Sequence, residues 1–420
     1  MLSAMVSLKP PPAAAVITYR PWRPLSWLLV VVAAAAVGLP LGGLVNVLWP
    51  RGDLAPYEYH LWRWEADNLV ENLFARAGIG PNPGDAAGQA ELRTYMSLTS
   101  EVRAQTASAN PDLARIDQLN AERAKHEHSV ERLIERYIDE AVTAEGLQHH
   151  LPLFDSVWFT WPPVDFKLTS PPGVLVRSPR DRIQRLGDTL IKSGLSLRDV
   201  ERIEADTTNA NTVSLLVPIG GLAAYPAIVR DDRDYDSLIE TASHEWTHHY
   251  LAFFPLGEQW GKGGDAETLN ETTANIAGRE IANIIRKNHP ITFPPGQDGS
   301  APEQAPPTVD FNKEMHDLRL QVDALLKQGK VSDAEQAMED KRQFLAQHGI
   351  VIRKLNLAYF AFYGTYGDTA ASSNPVGPKI EHVWELTKDV GAFLRVMRDV
   401  RSAGDVDKAI ARLEAAHAAR

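Results

Sequence analysis

The chain has 420 residues, 44% hydrophobic and 23% charged, with 43 basic against 54 acidic side chains and a formal charge of −11. That length holds one large domain or two to three ordinary ones, and the apolar content excludes a wholly disordered chain. With no cysteine, a disulfide scaffold, Cys-ligated metal and thiol catalysis are excluded, and the acidic balance argues against nucleic acid as a partner.

Residues 1–24 carry Lys9, Arg20 and Arg23 and no acid, and read as a cytoplasmic tail. From Leu25 to Trp49 no residue is charged. As a helix rising about 1.5 Å per residue this run would reach roughly 37 Å, enough for a ~30 Å hydrocarbon core. Trp27 and Trp49 stand near its ends, where aromatic rings favour the interface. The expectation is therefore a transmembrane anchor over 25–49 in a single-pass cell-membrane protein. Its N-terminus is cytoplasmic and the rest is extracytoplasmic, with a cleaved signal peptide as the competing reading.

Residues 50–148 read as a helical stalk. Tyr57 to Ala77 is an amphipathic helix, and 88–146 is rich in Arg, Glu and Ala with a break at Asn110-Pro111. The texture changes over 149–291. Val174 to Val176 and Thr212 to Val217 are β-branched runs, and Pro218 to Val229 suits an edge strand entered through Gly220-Gly221. Helical patterns return at 237–254 and 265–287. A Pro-rich loop fills 292–310. Residues 311–420 are helical again: a hairpin of Glu314–Gly329 and Val331–His348, then Ile352–Tyr366, then Lys379 onward. The expected fold class is α+β, mainly helical.

The chemistry concentrates at His244-Glu245-Trp246-Thr247-His248, an HExxH pattern. Ser237 with Glu240 forms a capping-box pair, and Pro255 with Gly257 supplies a stop, so the segment is a helix on independent grounds. Residues i and i+4 share one helical face, so two imidazoles can converge on one metal, and Glu245 reaches the water side of that metal as a general base. His249 points about 100° away around the helix and reads as packing. Glu240 reads as a cap. A second helix, Asp265 to Lys287, follows the turn Gly261-Lys262-Gly263-Gly264 and carries two candidate third ligands, Glu267 and Glu271. Two His and one Glu leave a fourth zinc position open, the arrangement of hydrolytic zinc.

Around Leu269-Asn270-Glu271-Thr272-Thr273-Ala274 the sequence resembles the gluzincin metallopeptidases, in which HExxH is followed on the next helix by an Asn-Glu-x-x-Ala context. The long helical C-terminal half is also similar in texture to a group of bacterial predicted aminopeptidases. The resemblance implies a zincin-like catalytic domain over 149–291, completed by 311–420. It implies one zinc per chain on His244, His248 and Glu271, with Glu245 as base. Thermolysin-like members place an Asp four residues after the ligand Glu; this chain has Asn275, which takes that supporting position. The resemblance further implies that Gly221, Leu222, Ala223 and Ala224 hold an extended peptide by strand addition. The aminopeptidase branch carries a Gly-x-Met-Glu-Asn motif that this chain lacks, so amino- and endopeptidase action both stay open.

Zinc peptidases usually add a Tyr or His donor for the developing oxyanion. The run Leu357 to Asp368 supplies Tyr359, Tyr363 and Tyr366, of which Tyr363 and Tyr366 stand in a Gly-containing bend; His382 is a weaker candidate. The expected function is an anchored zinc metallopeptidase acting on peptide or protein. A non-catalytic zincin-like binding protein and a zinc hydrolase of another amide remain as alternatives.

Overall fold

The computed structural model describes residues 54–76, 84–151, 154–302 and 307–419. The segment Leu25–Trp49 lies outside them. Among the described residues no helix is long and apolar enough to cross a membrane, which corrects the expectation of a single-pass membrane protein. The longest of these helices, Leu113–Ala144, has the length but carries Arg, Lys, Asp and Glu throughout.

The described chain is mainly helical, with small sheets. Helix α1 (Leu61–Arg76) is followed by α2 (Asp85–Ala107) and α3 (Leu113–Ala144), which pack on each other. The break falls at Ser108–Asp112, where the Asp112 side chain accepts from the Arg115 N–H and starts α3. Strands β1 (Gln148–Leu151) and β2 (Phe154–Thr160) form an antiparallel pair. There follow β3 (Phe166–Leu168), β4 (Gly173–Pro179), β5 (Asp188–Ile191), helix α4 (Leu197–Thr207), β6 (Thr212–Pro218), β7 (Gly221–Leu222) and β8 (Ala227–Val229). The order β5-β4-β6 makes one antiparallel sheet, with Val174 opposite Val217. The order β3-β8-β7 makes another, in which β3 runs parallel to β8 and β7 is the antiparallel edge.

The remaining helices are α5 (Tyr235–Leu251), α6 (Ala266–Asn288), α7 (Phe311–Lys327), α8 (Val331–Gln347), α9 (Leu357–Tyr363), α10 (Val376–Thr387), α11 (Val390–Met397) and α12 (Ala403–Ala418). Among the described residues there are two large apolar cores and a small third cluster of Leu175, Ile191 and Ile203. One joins α2, α3, α5, α6, α10 and α11 around Tyr95, Tyr137, Trp246 and Phe393. The other joins the inner faces of β4 and β6 to α7, α8 and α9. The expected helix over Ile352–Tyr366 is shorter, because the Asn356 side chain accepts from the Ala358 and Tyr359 N–H groups and sets the start of α9 there.

Among the described residues the outer edge of β3 has no partner strand, and buried carboxylates of α3 accept from its N–H groups. The Leu168 N–H donates to Glu131 at 2.8 Å and the Phe166 N–H to Glu135 at 3.2 Å. Burial raises the Glu131 carboxyl to about 7, against the opposing charge of Lys167. A raised folded-state pKa contributes stability that is present below the ordinary value and is lost as pH rises through 7. Wild type should therefore lose roughly 2–3 kcal/mol relative to Glu131→Gln between pH 4.5 and pH 8, read from urea midpoints.

Candidate metal centre

Helix α5 begins one turn earlier than its sequence pattern implies. Asp234 is the N-cap, accepting from the Ser237 N–H at 2.9 Å and the Ser237 hydroxyl at 2.9 Å, so the Ser237–Glu240 capping box is replaced and Glu240 stays exposed at the cleft rim. One face of α5 is core. Tyr250 is fully buried and Trp246 donates its indole N–H to the Pro162 carbonyl at 3.0 Å. The other face presents His244, Glu245 and His248 to a cleft of about 930 Å³.

Helix α6 crosses α5 at His244. Gly278 makes the crossing tight: a Cβ there would sit 3.0 Å from the Glu240 carbonyl and from the His244 backbone nitrogen. The close approach brings Glu271 onto the two imidazoles. Its Oε2 lies 3.5 Å from His244 Nε2 and 3.4 Å from His248 Nε2, and the two Nε2 atoms are 2.9 Å apart. Four tetrahedral bonds of ~2.0–2.1 Å separate neighbouring ligand atoms by about 3.3–3.4 Å, so this triangle fits one zinc ion. Glu271 Oε2 is buried and has no hydrogen-bond partner, an orphan that a cation would satisfy. Ligand atoms of His244, Glu245 and His248 also fall within 4.8 Å of one another. That grouping includes Glu245, but the Glu271 oxygen is the one facing both imidazole nitrogens at ligand-edge spacing.

The electrostatics agree with a cation site. Burial would lower His248, but the Glu271 carboxylate beside it, with Glu245, pushes it up to about 9. Burial would raise Glu271, but the charges of His248 and His244 hold it far below the usual carboxylate range. Glu245 is fully enclosed, and burial raises it above its ordinary value, against the pull of the two imidazoles.

The residue supporting His248 is Asn270, whose side-chain oxygen meets His248 Nδ1 at 2.8 Å and leaves Nε2 free to ligate. This differs from the expectation for Asn275. Asn275 lines the cleft but donates to Asp368 at 3.1 Å. The signal for Asn270 was present, since it is the Asn of the same Asn-Glu pair. Glu267 stands one turn before Glu271 and lines the adjacent cavity, away from the imidazoles. His382 is exposed between Glu385 and Glu414 and outside the cleft.

Gly221 and Leu222 are the edge strand β7, and Ala223 follows along the cleft. A Cβ on Gly221 would stand 2.3 Å from Glu245 Oε1, so the strand touches the candidate base only because this residue has no side chain. His249 is tied to this segment: its Nε2 lies 2.6 Å from the Ala224 carbonyl, and burial lowers it to about 4, so it is a neutral donor.

Tyr363 and Tyr366 both line the cleft. Tyr366 is the closer of the two to the donor set. Burial and the carboxylates of Glu271 and Glu245 push its phenol well above its ordinary value, so it is a proton-bearing donor at neutral pH. The loop holding it is fixed to α6 through the Gly367 N–H, which donates to Thr272 Oγ1 at 2.8 Å. Tyr363 is raised by burial and feels Arg233 instead.

No protein-family model, curated protein or solved structure matches this chain. The donor geometry therefore carries the functional argument alone.

Sequence reasoning did not find Arg185, Asp188 and Trp260, which also line the cleft. Arg185 and Asp188 lie at a hairpin, with no motif to mark them. Replacing Asn270 by Ala should weaken zinc binding about 10–100-fold, whereas Asn275→Ala should change it little. Glu271→Ala should abolish binding and Glu267→Ala should not. Zinc titration with a chromophoric competitor measures all four.

Proposed function

We propose that the chain is a zinc-dependent metallopeptidase with a zincin-like catalytic region, resembling the gluzincins in its donor set. The observation that carries this reading is the convergence of His244, His248 and Glu271 beside a buried Glu245 at the edge strand β7. His244, His248 and Glu271 would hold the zinc. A zinc ion there supplies Lewis-acid polarisation of the scissile carbonyl and acidifies a water.

The chain's own residues do the rest. The open side of β7 and the following Ala223 offer main-chain groups to an extended peptide, and His249 keeps that segment seated through Ala224. Glu245 takes the proton of the attacking water and delivers it to the leaving amine. Its raised pKa brings it nearer to neutrality, which suits a group that must both accept and release a proton. Tyr366 keeps its phenolic proton and donates to the oxyanion that develops on the substrate.

Glu245→Gln is the decisive variant. It should retain zinc and lose about three orders of magnitude or more in kcat on a blocked-peptide library. Full activity in that variant would remove the reading. Tyr366→Phe should lower kcat about 10²–10³-fold with KM close to wild type. Gly221→Ala should lower kcat/KM more than it lowers the melting temperature, because the three atoms nearest the added methyl all belong to the Glu245 side chain.

A further inference from the structure

The cleft at the metal centre has a neighbour. A second cavity of about 820 Å³ is lined by Gly264, Glu267, Thr268, Arg319, Thr365 and Asn374, among others. Arg185, Asp188 and Trp260 line both cavities, so the wall between them includes these residues, and Trp260 is 47% exposed. Each cavity alone falls in the ~300–1,000 Å³ range of a small-molecule site. Two such cavities side by side exceed what a dipeptide fills.

Arg185 is preorganised at this wall. Its Nε donates to Asp188 Oδ1 at 2.9 Å and its Nη2 to Asp188 Oδ2, while the guanidinium carbon lies 4.9 Å from the Phe362 ring centroid. The side chain is 17% exposed, and its charge is felt at Glu271 and Tyr366. Nη1 has no hydrogen-bond partner among the described residues and is not sealed from solvent. The guanidinium thus has one donor edge fixed by Asp188 and one edge left over beside the reacting groups.

We propose that the second cavity is a distal binding site for the polypeptide cleaved at the metal centre, and that Arg185 Nη1 holds a main-chain carbonyl of that chain as it crosses the wall. The proposal rests on the peptidase reading. A carbonyl fits better than a chain-end carboxylate on two counts. Asp188 already balances the Arg185 charge, and a second cavity lies on the other side of Arg185, which lines both.

The test uses the full zinc-loaded chain and a ladder of peptides acetylated and amidated at their ends. The ladder shares one scissile centre and is lengthened residue by residue on one side, then on the other. In wild type kcat/KM should rise about tenfold or more on lengthening one side only. Arg185→Met, and separately Glu267→Trp, which fills the second cavity from α6, should cut that gain to about twofold or less. Zinc content and far-ultraviolet dichroism confirm that each variant is folded. Absence of the gain in wild type overturns the proposal, as does its survival in both variants. A peptide ending at the crossing with a free carboxylate that outruns its extended amide also overturns it, by making Arg185 a reader of chain ends. Failure of wild type to cleave any peptide of this ladder or of a matched ladder with free amino ends removes the peptidase reading itself.

Discussion

The crossing of α5 and α6 is the constraint on which the candidate site depends. Two helices separated by ordinary side chains pack 8–10 Å or so apart. At Gly278 no side chain intervenes, and the backbone of α6 lies directly against Glu240 and His244. That contact is what puts Glu271 within 3.5 Å of both imidazole nitrogens. An alanine's single methyl would have to displace main chain, which cannot swing aside as the end of a flexible side chain does.

Helix α6 then serves as the frame for everything else around the metal donors. Asn270 reaches back to His248, Thr272 accepts from the Gly367 N–H, and Asn275 donates to Asp368. The tyrosine loop is clasped from its other side by α10, where a Cβ on Gly367 would stand 2.7 Å from Gly377 Cα. Successive faces of one helix therefore hold Glu271, the amide that orients His248 and the loop that carries Tyr366. A rigid element positions chemistry to tighter tolerance than a loop can, and here the loop is made rigid by being fastened to the helix.

Much of this was legible in the residues. The HExxH spacing identified α5 because helical periodicity alone puts i and i+4 together, and the Asn-Glu pair marked α6. The edge strand was recognised from Gly220-Gly221, though it is only two residues long, and Pro226 and the turn around Ala224 divide the run into β7 and β8. Other features are set by distant parts of the chain and left no local trace. The Glu131 and Glu135 carboxylates look like an ordinary charged helix face, yet they are buried against β3. Asn275 took the position expected of a supporting residue, but the facing loop supplied Asp368 and drew it away. Arg185 sits at an unremarkable hairpin and acquires meaning only when β4 and β5 bring it to Glu271.

The segment after β7 is held by residues before position 149 as well as by His249. The Trp64 indole donates to the Pro226 carbonyl at 2.9 Å, Glu65 accepts from the Tyr225 backbone, and Leu61 lines the cleft. All three belong to α1. Leu61 makes α1 part of the cleft wall, and the α3 carboxylates brace β3 of the sheet whose other edge is β7. A fragment trimmed to the stretch carrying His244, His248 and Glu271 would keep all three side chains and still lose the brace on the segment after β7. The smallest unit that keeps the cleft as described is thus set by what steadies that segment, and it extends back at least to α1.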